Sequence, residues 1–503
     1  MALVEYFAQG LQNVLSFHTI FLMFLGTVVG IIFGSVPGLS SVMALVLFLP
    51  FTYTMEPIVG IPFLIAIYIG ATSGGLISAI LINIPGTPAA VATCFDGHPM
   101  TKKGQAVKAI GMGVIFSFIG TILSTLALIF ISPPLANIAI KFGPHELFAI
   151  AIFSIVLISS IAGDSLIKSL LGALLGMAFA TIGLAPVDGV KRYTFGSTQL
   201  LNGFDTLVVL IGLFAITEIL KTAETIRLQE KHEIIKVDLK NVRGFGFTLK
   251  EFWEQRWNCL ISAIVGVTIG IIPGIGGSTS NLIAYSVVKQ RSKYPEKFGT
   301  GIPDGIVASE TSNNASCGGA MIPLLSLGIP GDGSTAVLLG AFMVHGLAPG
   351  PLLFRNQPEL VYTIFVAFMA ASLLMVLCEF YGLRFFIQAL RVPVHILLPV
   401  VFVFTTVGAF ALSNNAFNVV AILVFGFIGY VFVKFGIPQA PFIIGFILGG
   451  MAETNFRRAL MFSRNNFFDF FTKPIAAVFI ILTVAVLVYS LIKDIKKVKA
   501  AVQ

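Results

Sequence analysis

Hydrophobic residues recur along this chain in long unbroken runs, among them Phe17–Phe33, Val107–Ile131, Leu166–Leu184, Leu360–Phe380 and Ile475–Ile492, with polar positions gathered between the runs. About 30 Å of hydrocarbon is crossed by a helix of roughly 20 residues, so each run predicts a membrane-spanning helix. A transmembrane barrel would instead alternate apolar and polar positions over segments of about ten residues, and no such alternation is seen. The pattern predicts an all-α polytopic membrane protein with about a dozen spans. The first run lacks a basic leader and is too long for the apolar core of a signal peptide, so it is expected to remain as the first span.

One long polar stretch, Lys221–Asn258, divides the apolar chain. It carries Lys221, Arg227, Lys231, Lys236, Lys240, Arg243, Lys250 and Arg256. The expected organisation is a first membrane repeat over 1–220, a charged linker over 221–257 and a second membrane repeat over 258–503. Basic loops favour the cytoplasmic side, which places the linker, Lys102, Lys103 and Lys108, Lys289, Arg291 and Lys293, and the tail Lys493, Lys496, Lys497 and Lys499 inside. Charged residues are only 11% of the chain, less than half the roughly one quarter usual for soluble domains. The net charge of +8 is thus explained by loops, and nucleic acid is not expected as a partner. Cys94, Cys259, Cys317 and Cys378 form no CxxC pair and read as small packing residues.

The two halves resemble each other. GSVPGLSS from Gly34 to Ser41 matches GIIPGIGG from Gly270 to Gly277, with Gly34, Pro37 and Gly38 answering Gly270, Pro273 and Gly274. SGGLISAILINIPGTPAAV from Ser73 to Val91 matches CGGAMIPLLSLGIPGDGSTAV from Cys317 to Val337. His98 and His345 follow, with Phe95 and Phe342 three residues before them. Matches in the same order argue for an ancient duplication.

Gly and Pro at membrane depth free backbone N–H and C=O groups that lipid cannot satisfy, so such breaks survive only inside protein or beside water. Paired breaks in two repeats mark the midplane binding site of a secondary transporter. A half-helix N-terminus holds a carboxylate on backbone amides without a buried Arg or Lys. The expected substrate site is therefore Asn83, Pro85, Gly86, Thr87 and Pro88 with Asn313, Asn314, Pro330, Gly331, Asp332, Gly333 and Ser334. Carbonyls and hydroxyls at opposing broken ends suit a coupling ion, Na+ or H+, which is expected near Thr72, Ser73, Gly74, Gly75, Glu310, Ser312 and Ser316. Gly34, Pro37, Gly38, Gly270, Pro273 and Gly274 are expected as hinges of the broken helices. No other metal and no cofactor is expected. Asp96, His98 and His345 read as structural residues in loops, and Glu453, Arg457 and Arg458 as a membrane-edge loop.

Other classes fit less well. No GxSxG, HExxH or GxGD string supports an embedded enzyme, and without a Gly-Lys pair there is no P-loop. Channels are typically lined by rings from repeated subunits, not by paired breaks in one chain. A stand-alone ion-coupled carboxylate symporter remains a rival on the residues alone.

NIPGTPAAVATCFDGHPMTKKGQA from Asn83 to Ala106 and NNASCGGAMIPLLSLGIPGDGSTAVLLGAFMVHGLAPGP from Asn313 to Pro351 are similar to the signature regions of the tripartite tricarboxylate transporters, large membrane subunit. The resemblance implies import of di- and tricarboxylates such as citrate across the bacterial inner membrane on an Na+ or H+ gradient. It implies two partners, a small four-helix membrane subunit and a periplasmic solute-binding protein. It also implies inverted repeats, re-entrant hairpins with tips at Thr72–Gly75 and Asn313–Gly319, and an elevator-type motion.

Overall fold

A computed structural model of the chain describes residues 2–163, 165–225, 245–274, 276–389 and 394–502. Of the expected linker, Arg227, Lys231, Lys236, Lys240 and Arg243 lie outside the described residues. In chain order the helices are α1 Ala2–Leu15, α2 Phe17–Ser35, α3 Ser41–Phe48, α4 Pro57–Ile82, α5 Val91–Lys102 and α6 Ala106–Ala139. There follow α7 Pro144–Ile161, α8 Leu166–Ala180, a small hairpin of β1 Gly183–Leu184 and β2 Lys191–Arg192, α9 Thr206–Leu210 and α10 Thr217–Thr225. Next come α11 Leu249–Glu254, α12 Arg256–Ile271, α13 Gly276–Arg291, α14 Pro303–Leu327, α15 Gly333–Val344, α16 Pro351–Asn356, α17 Pro358–Tyr381 and α18 Leu383–Ala389. The chain ends with α19 Val394–Ala411, α20 Ala416–Phe435, α21 Gln439–Phe462, α22 Asp469–Thr472 and α23 Pro474–Val502. Among the described residues eight helices are long and apolar enough to cross a membrane, and five shorter apolar helices accompany them, where the sequence suggested about a dozen spans.

Two compact units form, one from Met1–Ala136 with Lys221–Phe404 and one from Asn137–Leu220 with Thr405–Gln503. Each takes a segment from either side of the polar stretch. Compactness thus divides the chain differently from the order of its repeated strings.

In the first unit, small residues let helix backbones touch. A Cβ on Gly30, Gly34, Gly70 or Gly74 would lie 2.2–2.6 Å from a backbone oxygen of the facing helix, so α2 and α4 pack backbone to backbone. Gly266 and Gly270 set α12 against Ser312 O and Ser316 O of α14 in the same way. Lipid tails are as apolar as leucine, so close packing of small residues, not hydrophobicity, drives helices together in a bilayer. The result surrounds α4 with protein: 94% of its most apolar window is buried, against 17% for α23, whose apolar surface stays largely exposed. The described end of the linker packs here too, with the Phe245 ring 4.1 Å from that of Phe380. Ahead of α11, Thr248 and Glu251 form a reciprocal cap, and Glu251 pairs with Lys108 of α6.

In the second unit, Gly176 meets Phe442 O and Gly445 meets Ala173 O, joining α8 to α21. Glu453 and Arg457 lie on α21, as does Arg458, and not in an edge loop. Arg192 of β2 grips Glu453 with both terminal nitrogens at 2.6 and 3.1 Å, while Arg457 bridges Glu453 at 2.9 Å and Asp188 at 2.8 Å. Charge pairing lets the helix continue through these positions.

Candidate functional site

The Gly/Pro strings do break helices in the first unit, and the two sets break alike. Gly38 and Gly274, after α2 and α12, have φ of +90° and +85°. Asn83 and Gly328, closing α4 and α14, have φ of +57° and +73°. This left-handed cap suits Gly or Asn. Within each set the two breaks nest: a Cβ on Gly86 would fall 2.0 Å from Gly34 O, and one on Gly331 2.8 Å from Gly270 O. Gly86 N–H donates to Gly75 O at 3.4 Å, and Gly274 N–H to Gly331 O at 2.7 Å. Pro37 and Pro273 are half-buried beside these turns.

The sets then meet crosswise. The hydroxyls of Ser41, at the start of α3, and Ser334, at the start of α15, are 2.9 Å apart. Asn281 of α13 donates to Ala89 O in the turn before α5. Asp332 caps α15, its Oδ1 accepting from Thr335 N at 2.7 Å, while its Oδ2 accepts from Tyr68 OH of α4 at 2.9 Å. Asn83 and Pro88 are exposed, Pro85 half-buried, and Gly86 and Thr87 buried, so the first break opens outward from a closed base. At the second, Pro330 and Gly331 are buried and Gly333 is half-buried.

The hairpin tips expected at Thr72–Gly75 and Asn313–Gly319 are not tips. Both lie in the middle of continuous helices, α4 and α14, and the breaks come later, at 83–87 and 328–332. The glycines serve packing instead: Gly74 against Ile31, Gly75 against Thr87 and Ala90, Gly318 against Ser124, Gly319 against Val267. The polar residues around them form a buried network. Asn313 Nδ2 donates to Thr72 O at 3.2 Å and Ser316 Oγ to Asn313 O at 2.6 Å. Ser280 and Ser312 hydroxyls lie 2.8 Å apart. Fully buried Glu310 accepts from Thr93 Oγ1, and from Ser117 Oγ at 3.1 Å, and Ser117 in turn accepts from Asn314 Nδ2 at 2.8 Å.

A second fully buried carboxylate, Glu379 of α17, accepts from Ser73 Oγ at 2.9 Å on its Oε2, one residue along α4 from Thr72 of this network. Sequence reading passed over Glu379, although an ionisable residue in the apolar run Leu360–Phe380 is itself the signal. Thr93, Ser117 and Tyr68 were missed because only the fold brings them to the acids. Several buried oxygens here have no partner: Thr87 Oγ1, Asn281 Oδ1, Thr311 Oγ1, Asn313 Oδ1, Asn314 Oδ1 and Glu379 Oε1. The carbonyl and carboxylate oxygens among them, on Asn281, Asn313, Asn314 and Glu379, suit a small cation, whereas the Thr87 and Thr311 hydroxyls can also donate. Among the described residues no group of three His, Cys, Asp or Glu is placed to hold a metal ion.

Asp96 and His98 lie on α5 and not in a loop. Asp96 is fully buried and its Oδ1 accepts the amides of Gly299, Gly301 and Ile302 at 3.0, 2.8 and 3.1 Å. Tyr285 OH donates to its Oδ2 at 2.8 Å, so the residue clamps the approach to α14. His345 ends α15, its Nε2 3.3 Å from Thr52 Oγ1. All four cysteines are buried and unbridged.

The chain is similar to known proteins over most of its length. The model of the family described as "Tripartite tricarboxylate transporter TctA family" matches residues 20–444. An uncharacterized 52.8 kDa protein in the TAR-I ttuC' 3' region of Agrobacterium vitis is 32% identical over 496 residues, covering 99% of this chain and 98% of the relative. An uncharacterized protein in the TAR-II ttuC' 3' region of the same organism is 36% identical over 231 residues, 46% of this chain and 96% of the relative. No solved structure matches.

Proposed function

We propose, from the premise that the chain belongs to the tripartite tricarboxylate transporter TctA family, that it translocates di- and tricarboxylates into the cell as the large subunit of an ion-driven secondary transporter. The observation that carries the reading is the pair of breaks with the same left-handed caps and nested glycines. Irregular backbone at membrane depth is tolerated where it lines a cavity, and transporters use it to bind substrate. The substrate carboxylate is held on backbone amides following Pro85 and Pro330 and on the hydroxyls of Thr87 and Ser334. Thr87 Oγ1, buried and without a partner, supports this. The coupling ion, Na+ or H+, sits deeper, among the buried oxygens around Thr72, Ser73, Glu310, Ser312 and Ser316.

A small four-helix membrane subunit and a periplasmic binding protein complete the assembly in the bacterial inner membrane, with the polar stretch and the C-terminus in the cytoplasm. The matching break strings are the trace of a duplication with inverted repeats, and transport proceeds by an elevator-type motion of the unit that carries them.

Uptake of labelled citrate and related carboxylates into proteoliposomes tests the reading, using the chain with its small subunit, with and without the binding protein, under an imposed Na+ or proton gradient. Gradient-driven uptake that needs the binding protein is expected. Uptake that ignores the binding protein would make the chain a stand-alone symporter, and a folded complex that moves no carboxylate would sink the substrate class.

A further inference from the structure

We propose that Glu379 is the anionic anchor of a buried Na+ site, shared with Ser73 of the facing helix. The proposal rests on the transporter reading and names its coupling ion. Glu379 is 0% exposed, and apart from the Ser73 hydroxyl on Oε2 it is without a partner, Oε1 having none at all.

The helices packed on α17 include α1, α2, α4, α16 and α18. Their charged or titratable side chains include Glu5, His18, Arg355 and Arg384, and none of these forms an ion pair or hydrogen bond with Glu379 among the described residues. Tyr68 of α4 is committed to Asp332, and Glu359 of α17 itself accepts from Asn13. The other fully buried acid nearby, Glu310, adds negative charge and has both its oxygens engaged by hydroxyls. An uncompensated carboxylate so fully buried is too costly to persist, so a positive species, a cation or a proton, must join it.

The unpartnered atoms identify that species. The unpartnered oxygens of Glu379, Asn313 and Asn314 are acceptors only, which an anion cannot satisfy and a cation can. The amide oxygens of Asn313 and Asn314 are not misassigned nitrogens, because their Nδ2 atoms already donate to Thr72 O, and to Ser117 Oγ and Glu310 O. Asn313 thereby reaches the residue next to Ser73. A proton on Oε1 would exchange an unpartnered acceptor for an unpartnered donor. A cation satisfies the charge and the oxygen together, and hydroxyl, carbonyl and carboxylate oxygens are the ligands that suit Na+.

The test is binding of Na+ itself to the full-length protein in nanodiscs, read as the rise in Tm with NaCl against KCl and choline chloride at fixed pH and ionic strength. The wild type is expected to gain stability with Na+ alone, and Glu379→Gln, eluting as the same monodisperse species, to lose that gain. Ser73→Ala is expected to keep the response with the Na+ midpoint raised about tenfold, through loss of the hydroxyl oxygen that shares the ion with Glu379. That variant carries the test if Glu379→Gln does not fold. An undiminished Na+ response in Glu379→Gln, an unshifted midpoint in Ser73→Ala, or a wild type that responds to pH and not to Na+ each overturns the proposal. Proteoliposome uptake separates the two claims: Na+ binding that needs Glu379, without carboxylate uptake, keeps the site and sinks the transporter reading. Na+-driven uptake unchanged in Glu379→Gln sinks the site alone.

Discussion

At Asp96 one buried carboxylate satisfies three backbone amides and a tyrosine hydroxyl. Each buried donor left without its acceptor costs about 1–3 kcal/mol, so Asp96→Ala is expected to lose about 3 kcal/mol or more of stability. Thermal unfolding of the purified protein checks this; a loss below about 1 kcal/mol would mean that water replaces the carboxylate. Thr87 and Ser334 stand differently, as hydroxyls at the two breaks. Thr87→Val and Ser334→Ala are expected to raise the KM for carboxylate uptake roughly tenfold each with little change in Tm, as loss of a hydrogen bond to a charged ligand does. An unchanged KM in both would remove these hydroxyls from the substrate site. The helical setting of Asp96 was hidden because its neighbours Gly97 and Pro99 are turn formers. Packing overrides them: Gly97 fits against Ile80, and α5 runs on through both residues.

Among elements, the seam of α2 on α4 is the most exacting. A methyl group at Gly74 would stand 2.6 Å from Ile31 O, against backbone that cannot turn aside. Gly74→Ala is therefore expected to cost about 1–3 kcal/mol by overpacking, read as a lower Tm and reduced yield of assembled protein. The short helix α11 depends on charge instead. Its Glu251 carboxyl is lowered from an ordinary 4.5 to about 2, chiefly by Lys108 and then by the Thr248 amide. A carboxyl with a depressed folded-state value gives its stabilisation in full above the unfolded value and loses it as pH falls through the folded one. Hydrogen exchange in α11 is thus expected to quicken relative to α12 as pH drops from about 4.5 to about 2, after correction for intrinsic rates. The pair is partly exposed, so Glu251→Gln is expected to cost only about 1 kcal/mol at neutral pH, and an exchange ratio flat with pH would rule the pair out.

On the scale of the whole molecule, the helical membrane character and four of the breaks were legible from the chain alone, while the span count of about a dozen and the two hairpin tips were not. Helix length follows from bilayer thickness, and a Pro paired with a left-handed glycine favours a break by local geometry, although packing carries α4, α5 and α14 through Pro62, Pro99 and Pro323. Hence the breaks at Pro37, Pro85, Pro273 and Pro330 and the membership of one family were all readable in the sequence. What the tertiary structure alone decided is which glycines break helices and which join them. Gly74 and Gly319 look the same in sequence as Gly86 and Gly331, yet the former lie within helices and the latter in the turns. It decided also that Ser73 meets Glu379 across 306 positions, and that each compact unit draws on both sides of the polar stretch. These outcomes depend on which backbones and side chains approach from distant parts of the chain, and no local pattern of residues encodes that approach.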